Sequence, residues 1–199
     1  AGLVGLAVDE THHRSDGERA RDVRDVEALR RGRRAFEAER GLRVYLQRGG
    51  ADTVQPLQGD RACLHYTLPA EGLRFEFLPT DFVQINAEVN RALVAHAVAQ
   101  LQVEPQHRVL DLFCGLGNFT LHLARRAREV VGVEGDAALV ERARHNAALN
   151  QLGNVSFKTA NLFDTSIAAT VLGGPFDRVL LDPPRAGALE VLPTLAALA

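Results

Sequence analysis

The 199-residue chain contains no methionine, no tryptophan, two cysteines and one lysine. Each scarcity closes off a class of protein. From Cys63 and Cys114 alone, neither a disulfide framework nor a four-cysteine zinc or iron–sulfur site can be built within these residues, and a reducing cytoplasm is the expected setting. The seven histidines are scattered, and His12 and His13 are adjacent rather than at a ligand spacing, so no metal is placed. No apolar run approaches the ~20 residues that a membrane-spanning helix needs, and no basic leader with an apolar stretch opens the sequence. A soluble protein with no membrane partner is expected. Because Lys158 is the only lysine, nearly all positive charge is arginine, the better fork for phosphate. A GC-rich coding sequence produces the same skew, so the formal net charge of −2 neither supports nor excludes a nucleic-acid partner. The missing methionine extends to the first residue. The chain opens on an apolar run, Gly2 to Val8, and stops at Ala199 within an apolar helical pattern, as a piece of a longer protein would.

With 46% hydrophobic residues, there is enough apolar material for the core of one domain or two small ones. Residues 1–78 read as a small α+β domain. It holds strand-like Leu3 to Val8, a charged helical stretch from about Glu18 to Glu39 and strand-like Leu42 to Gln47. Alternating runs at Ala62 to Thr67 and Leu73 to Phe77, separated by Pro69 and Gly72, make a β-hairpin expected to finish that domain's sheet. In the helical stretch, Val23, Val26, Leu29 and Arg30 share a narrow face. The arginines there, Arg30, Arg31, Arg33 and Arg34, read as a solvated face rather than a site.

Residues 79–199 read as the first part of an α/β domain. Asn86 is placed to cap a helix from Ala87 to Leu101. Strands Arg108 to Phe113, Val130 to Glu134, Val155 to Thr159 and Arg178 to Asp182 then alternate with helices at about Asn118 to Arg128, Ala137 to Asn150 and Phe163 to Val171, and another helix begins near Leu189. That alternation predicts a parallel sheet of βαβ units.

The run Val109-Leu-Asp-Leu-Phe-Cys-Gly-Leu-Gly-Asn-Phe-Thr120 carries most of the chemistry. It reads as a buried strand, a glycine turn and a helix start, the place where open α/β sheets bind ligands. Glu134 ends the next strand, where a carboxylate can accept from both ribose hydroxyls of an adenine nucleoside. A dinucleotide fingerprint asks for a third glycine where Thr120 stands, which weakens a nicotinamide reading. S-adenosylmethionine fits better, with Asn118 offering an amide to its zwitterionic end and Glu134 holding its ribose. Phe113, Asn161 and Asp182 sit at or just beyond the other strand ends, and Asp182-Pro-Pro-Arg185 makes a rigid lip, its prolines removing two backbone donors.

These segments, together with Asp81-Phe-Val-Gln-Ile-Asn86, Val130-Val-Gly-Val-Glu-Gly135 and Leu180-Leu-Asp-Pro-Pro-Arg-Ala-Gly187, make the chain resemble the RNA uracil-5 methyltransferase family, in particular its 23S ribosomal RNA branch. The resemblance covers essentially the whole chain. It implies a Rossmann-like class I S-adenosylmethionine-dependent methyltransferase sheet, of which residues 79–199 are the N-terminal half, preceded by a small α+β domain. It implies cofactor contacts from Gln84, Phe113, Asn118, Glu134, Asn161 and Asp182, and places Phe82 and Arg185 near the target uracil, Phe82 as a stacking surface. A core phenylalanine is the competing reading of Phe82.

The family's chemistry, by the same resemblance, needs a cysteine thiolate that adds to C6 of uracil and a base that removes the C5 proton, both in motifs expected beyond Ala199. An iron–sulfur cluster would belong to the parent protein and not to this chain. Cys114 is read as a small buried residue of the turn rather than a substitute nucleophile, and Cys63 as a strand residue. The leading expectation is therefore a fragment with the cofactor half-site of an enzyme that makes 5-methyluridine in 23S RNA, the fragment itself being inactive. Two alternatives stand beside it: a noncatalytic cofactor- or RNA-binding module, and an adenine or cytosine amino-methyltransferase acting through the Asp-Pro-Pro loop.

Overall fold

The computed structural model describes residues 3–5, 31–32, 34–36, 38–40, 43–47, 53–60, 63–84, 86–164 and 174–196. The chain divides into two units, Ala1–Cys63 with Leu78–Thr80, and Leu64–Phe77 with Asp81–Ala199. In the first, β1 (Leu3–Gly5) pairs in parallel with β2 (Arg43–Leu46), and β3 (Gln55–Pro56) pairs antiparallel on the other side. Val44, Tyr45 and Leu46 are buried. Of the expected charged helix, Val23, Val26, Leu29, Arg30 and Arg33 lie outside the described residues, while Arg31 and Arg34 are helical and exposed.

The second unit is built on four parallel strands, β6 (Arg108–Leu112), β7 (Glu129–Glu134), β8 (Val155–Thr159) and β9 (Arg178–Leu181), in the order β8-β7-β6-β9. Their valines and leucines pack on both faces, as parallel strands flanked by helices require. Val109, Leu110, Leu112, Val130 and Val133 are fully enclosed, with Leu110 and Val133 in one core cluster and Val109 and Val130 in another. Chain order reverses at β6, since β7 lies on one side and β9 on the other. The strands' carboxyl ends at such a reversal open a crevice.

Helix α1 (Ala87–Leu101) starts where the Asn86 side chain accepts from the N–H groups of Glu88 and Val89, each at 3.0 Å, and it buries Val94 and Val98. Helix α2 (Thr120–Ala124) is shorter than expected, because Arg126 N–H already turns back to the Leu123 carbonyl at 2.9 Å. Helix α3 (Ala137–Leu149) is capped by Asp136, and a 3₁₀ turn at Leu189–Val191 leads into α4 (Leu192–Ala196). The helix expected from Phe163 to Val171 falls mostly on residues outside the described ones, and residues 161–164 form a turn.

The hairpin departs from expectation. Strands β4 (Leu64–Leu68) and β5 (Leu73–Phe77) form a separate two-stranded sheet and belong to the second unit. The reason is partly apolar, since Leu68, Leu73 and Phe75 share a core cluster with Cys114, Leu116, Val140 and Phe157, each buried large side chain contributing about 1.5–3 kcal/mol. It is also polar. Asn146 accepts from Glu76 N–H at 2.8 Å and donates to the Glu76 carbonyl at 3.2 Å; one helical turn later, Asn150 accepts from Arg74 N–H at 2.9 Å and donates to the Arg74 carbonyl at 2.7 Å. One amide on α3 and one at its C-terminal cap thus take the place of a third strand along the edge of β5.

Gly132 and Gly117 mark close approaches. A Cβ on Gly132 would lie 2.7 Å from the Phe157 ring and 3.0 Å from Cys114 Sγ, and one on Gly117, whose φ is +96°, would lie 2.7 Å from Leu121 Cδ1. Both glycines let the turn sit down on β7 and α2.

Candidate functional site

Leu112 is paired with Val133 on one side and Leu181 on the other, so the next residue of each strand, Phe113, Glu134 and Asp182, falls in one row at the carboxyl edge of the sheet. Asn161 lies two residues beyond Thr159, the partner of Glu134. The sheet therefore brings together four of the expected site residues. Phe113 holds φ at +61°, a left-handed conformation that costs a side-chain-bearing residue roughly 1–2 kcal/mol. Its ring meets Phe163 at 5.7 Å between centroids, tilted by 57°. Phe163 does not stand out in the sequence as a site residue; its only signal is the Asn161 turn, in which Asn161 Oδ1 accepts from Phe163 N–H at 3.1 Å.

Glu134 organises the turn itself. Its Oε2 accepts from Gly115 N–H at 3.0 Å, and its Oε1 accepts from Gly135 and Asp136 N–H at 2.7 and 3.1 Å. Of the carboxylate's roughly four lone pairs, one on Oε2 remains for a ligand. In sequence the carboxylate reads as the partner of two ribose hydroxyls; the three N–H groups it already holds leave room for one.

Beneath the row lies Asp111, fully buried in β6, with Oδ2 accepting from the Thr120 hydroxyl at 2.5 Å and Oδ1 without a partner among the described residues. Burial first, then the nearby Asp182 and Glu134 charges, push its pKa up to about 7 against the pull of Thr120. Asp182 is exposed by area, yet the walls of the strand end remove enough solvent from its carboxyl to raise its pKa as well. Cys114 is buried, and burial followed by the Asp111 and Glu134 charges holds its thiol far above the ordinary range. A thiol in that setting is a poor nucleophile. The edge as a whole suits a cation and disfavours a pyrophosphate.

Asn118, by contrast, is engaged inside the protein. Its Oδ1 accepts from Tyr66 Oη at 2.9 Å and Asn90 Nδ2 at 3.1 Å, while its Nδ2 donates to Asn90 Oδ1 at 2.9 Å. Gln84 is exposed and, with Tyr66, Phe77, Val83 and Asn90, lines a cavity of about 220 Å³. Phe82 is 76% exposed and so lies outside the core of the described residues, and Arg185 is exposed on the loop after β9.

A parallel sheet with this strand order, a glycine turn after its first strand and carboxylates along its edge is the Rossmann-like fold of class I S-adenosylmethionine-dependent methyltransferases. The family model for tRNA (uracil-5-)-methyltransferases matches residues 50–194. The chain belongs to that family. It is 53% identical over 160 residues to the 23S rRNA (uracil(1939)-C(5))-methyltransferase RlmD of Xanthomonas axonopodis pv. citri, covering 80% of this chain and 36% of that protein. To RlmD of Bordetella parapertussis it is 52% identical over 168 residues, covering 83% and 36%. The chain thus spans about a third of the length of these curated relatives. Among solved structures, the tRNA (uracil-54, C5)-methyltransferase of Pyrococcus abyssi in complex with S-adenosyl-L-homocysteine is similar at 25% identity and a TM-score of 0.63, over 79% of this chain and 38% of that one.

Proposed function

We propose that this chain carries the S-adenosylmethionine-binding part of an enzyme that methylates C5 of a uridine in 23S ribosomal RNA, acting in the cytoplasm. The row of Glu134 and Asp182 above Asp111 is the observation that carries the reading. Its carboxyls favour a ligand bearing a sulfonium and an ammonium over one bearing a pyrophosphate, and the Phe113–Phe163 pair offers an apolar slot for an adenine. When bound, S-adenosylmethionine supplies an electrophilic methyl group. Glu134 Oε2 takes a ribose hydroxyl; Asp182 and Asn161 line the same edge, and Gln84 approaches from the segment before α1. The higher identity to RlmD proteins than to the tRNA enzyme favours 23S RNA as substrate.

Exposed Phe82 is the stacking surface for a base withdrawn from the RNA fold, and Arg185 lies at the lip that the base passes. Neither cysteine of this chain fits the nucleophile: Cys114 is buried among carboxyls and Cys63 is an exposed residue of the other unit. We assign that role to a residue outside the chain and expect no turnover from the chain alone.

Isothermal titration with S-adenosylhomocysteine tests the cofactor reading. Glu134→Ala is expected to weaken binding by about 1.5–3 kcal/mol, through loss of a charge-assisted hydrogen bond and release of three turn N–H groups. A folded wild-type sample that does not bind sinks the half-site. For the full-length protein, the product distinguishes the reactions: 5-methyluridine supports the proposal, and an exocyclic N-methyl group overturns it.

A further inference from the structure

The glycine turn is gripped from outside the parallel sheet. Tyr66 comes from the hairpin, 52 residues before Asn118, and Asn90 from the first turns of α1. Asn90 is 4% exposed, and the Tyr66 ring is fixed by stacking on Phe75 at 4.9 Å with 8° between planes and by a tilted contact with Phe77 at 6.0 Å. Neither residue carries an expected role in cofactor binding or RNA recognition. Both converge on one amide.

An asparagine amide has two acceptor lone pairs and two N–H donors. In Asn118 the contacts to Tyr66 Oη and Asn90 Nδ2 occupy both lone pairs, and the contact to Asn90 Oδ1 occupies one N–H. The reciprocal pair with Asn90 would be equally good with both amides flipped. Tyr66 breaks that symmetry. Its phenol is sheltered from water and stays protonated, so its O–H needs an acceptor, and the Asn118 oxygen is the acceptor within reach. With the oxygen turned toward Tyr66, the group left to a ligand is a single N–H.

We propose that Tyr66 and Asn90 are positioning residues that lock the Asn118 amide with one N–H free, so that the turn recognises the carboxylate, not the ammonium, of the cofactor's amino-acid end. This rests on the cofactor reading above. It also gives the hairpin a functional reason to belong with the sheet: it supplies the phenol that decides whether the turn presents a donor or an acceptor. The ammonium is left to the acidic edge.

The test compares S-adenosylhomocysteine with 5′-methylthioadenosine, which keeps the nucleoside and thioether but has no amino-acid end. In the chain as described, Tyr66→Phe is expected to weaken S-adenosylhomocysteine about threefold to tenfold, and Asn90→Ala about tenfold, with 5′-methylthioadenosine unchanged for both. In an Asn118→Ala background, neither substitution should weaken binding further. Tyr66→Phe keeps the ring and its stacking, so it reports on the hydroxyl even where Asn90→Ala fails to fold. Equal losses for both ligands, no loss for either, or losses that persist without the Asn118 amide overturn the proposal. If the folded wild-type chain binds neither ligand, the cofactor reading itself falls, and this inference with it.

Discussion

Replacing Asp111 with asparagine is expected to leave stability nearly unchanged at pH 4 and to stabilise the chain by about 4 kcal/mol relative to wild type at pH 8. The folded-state pKa of Asp111 is pushed from 3.8 up to about 7. The distance between those two values, at ~1.4 kcal/mol for each tenfold change in proton affinity, gives that figure. The sign follows from which form the fold prefers. A raised acid favours the protonated folded state, so its contribution is fully present below the unfolded pKa, is lost progressively as pH rises from about 4, and is gone above about 7. Asparagine stays neutral across that range and keeps an oxygen for the Thr120 hydroxyl. Its amide N–H₂ inherits the buried position where Oδ1 now has no partner among the described residues, a cost matched at low pH by the protonated acid itself. Urea unfolding of both proteins at pH 4, 5, 6, 7 and 8 reads the difference, in which carboxyls common to both cancel. A difference that does not change with pH means that Asp111 titrates normally and that the acidic edge is better solvated than its burial implies.

The same residue shows how far the sequence reaches. Asp111 and Glu134 could be placed at or near strand ends because valine and leucine runs bounded by a glycine turn define parallel strands without any knowledge of their neighbours. α1 was legible to the residue, since Asn86 supplies a local cap and the apolar spacing supplies the face. What the sequence could not disclose was the partner of each polar group. Glu134 reads as a ligand for ribose in any strand-end position, but three of its lone pairs are claimed by N–H groups that the turn's path brings to it. Asn118 reads as a free amide because Tyr66 and Asn90 are distant in sequence. The hairpin reads as part of the first unit's sheet, and stands instead as a separate sheet of the second unit, for a similar reason. Its alternating pattern specifies a half-buried hairpin equally well against either unit, and the residues that decide, Asn146 and Asn150, look in sequence like the solvated side of a helix.

Asn146→Ala tests that decision directly and is expected to destabilise the second unit by about 3–5 kcal/mol. The side chain is fully buried and makes three hydrogen bonds, to the N–H and carbonyl of Glu76 and to the carbonyl of Leu116. Alanine removes all three and leaves backbone groups at roughly 1–3 kcal/mol apiece, of which the exposed fraction recovers water. Asn150→Ala strips the equivalent pair from Arg74, but Asn150 is only half-buried, so about 1–2 kcal/mol is expected there. Amide hydrogen exchange separates the two. The Glu76 amide should lose protection in Asn146→Ala and the Arg74 amide in Asn150→Ala, each with the other largely retained. Because the Leu116 carbonyl belongs to the glycine turn, Asn146→Ala should also weaken S-adenosylhomocysteine, whereas Asn150→Ala should not. A loss below 1 kcal/mol with unchanged exchange at Glu76 would mean that the apolar contacts of Leu68, Leu73 and Phe75 alone hold the hairpin, and that the amide edge on α3 only follows where they lead.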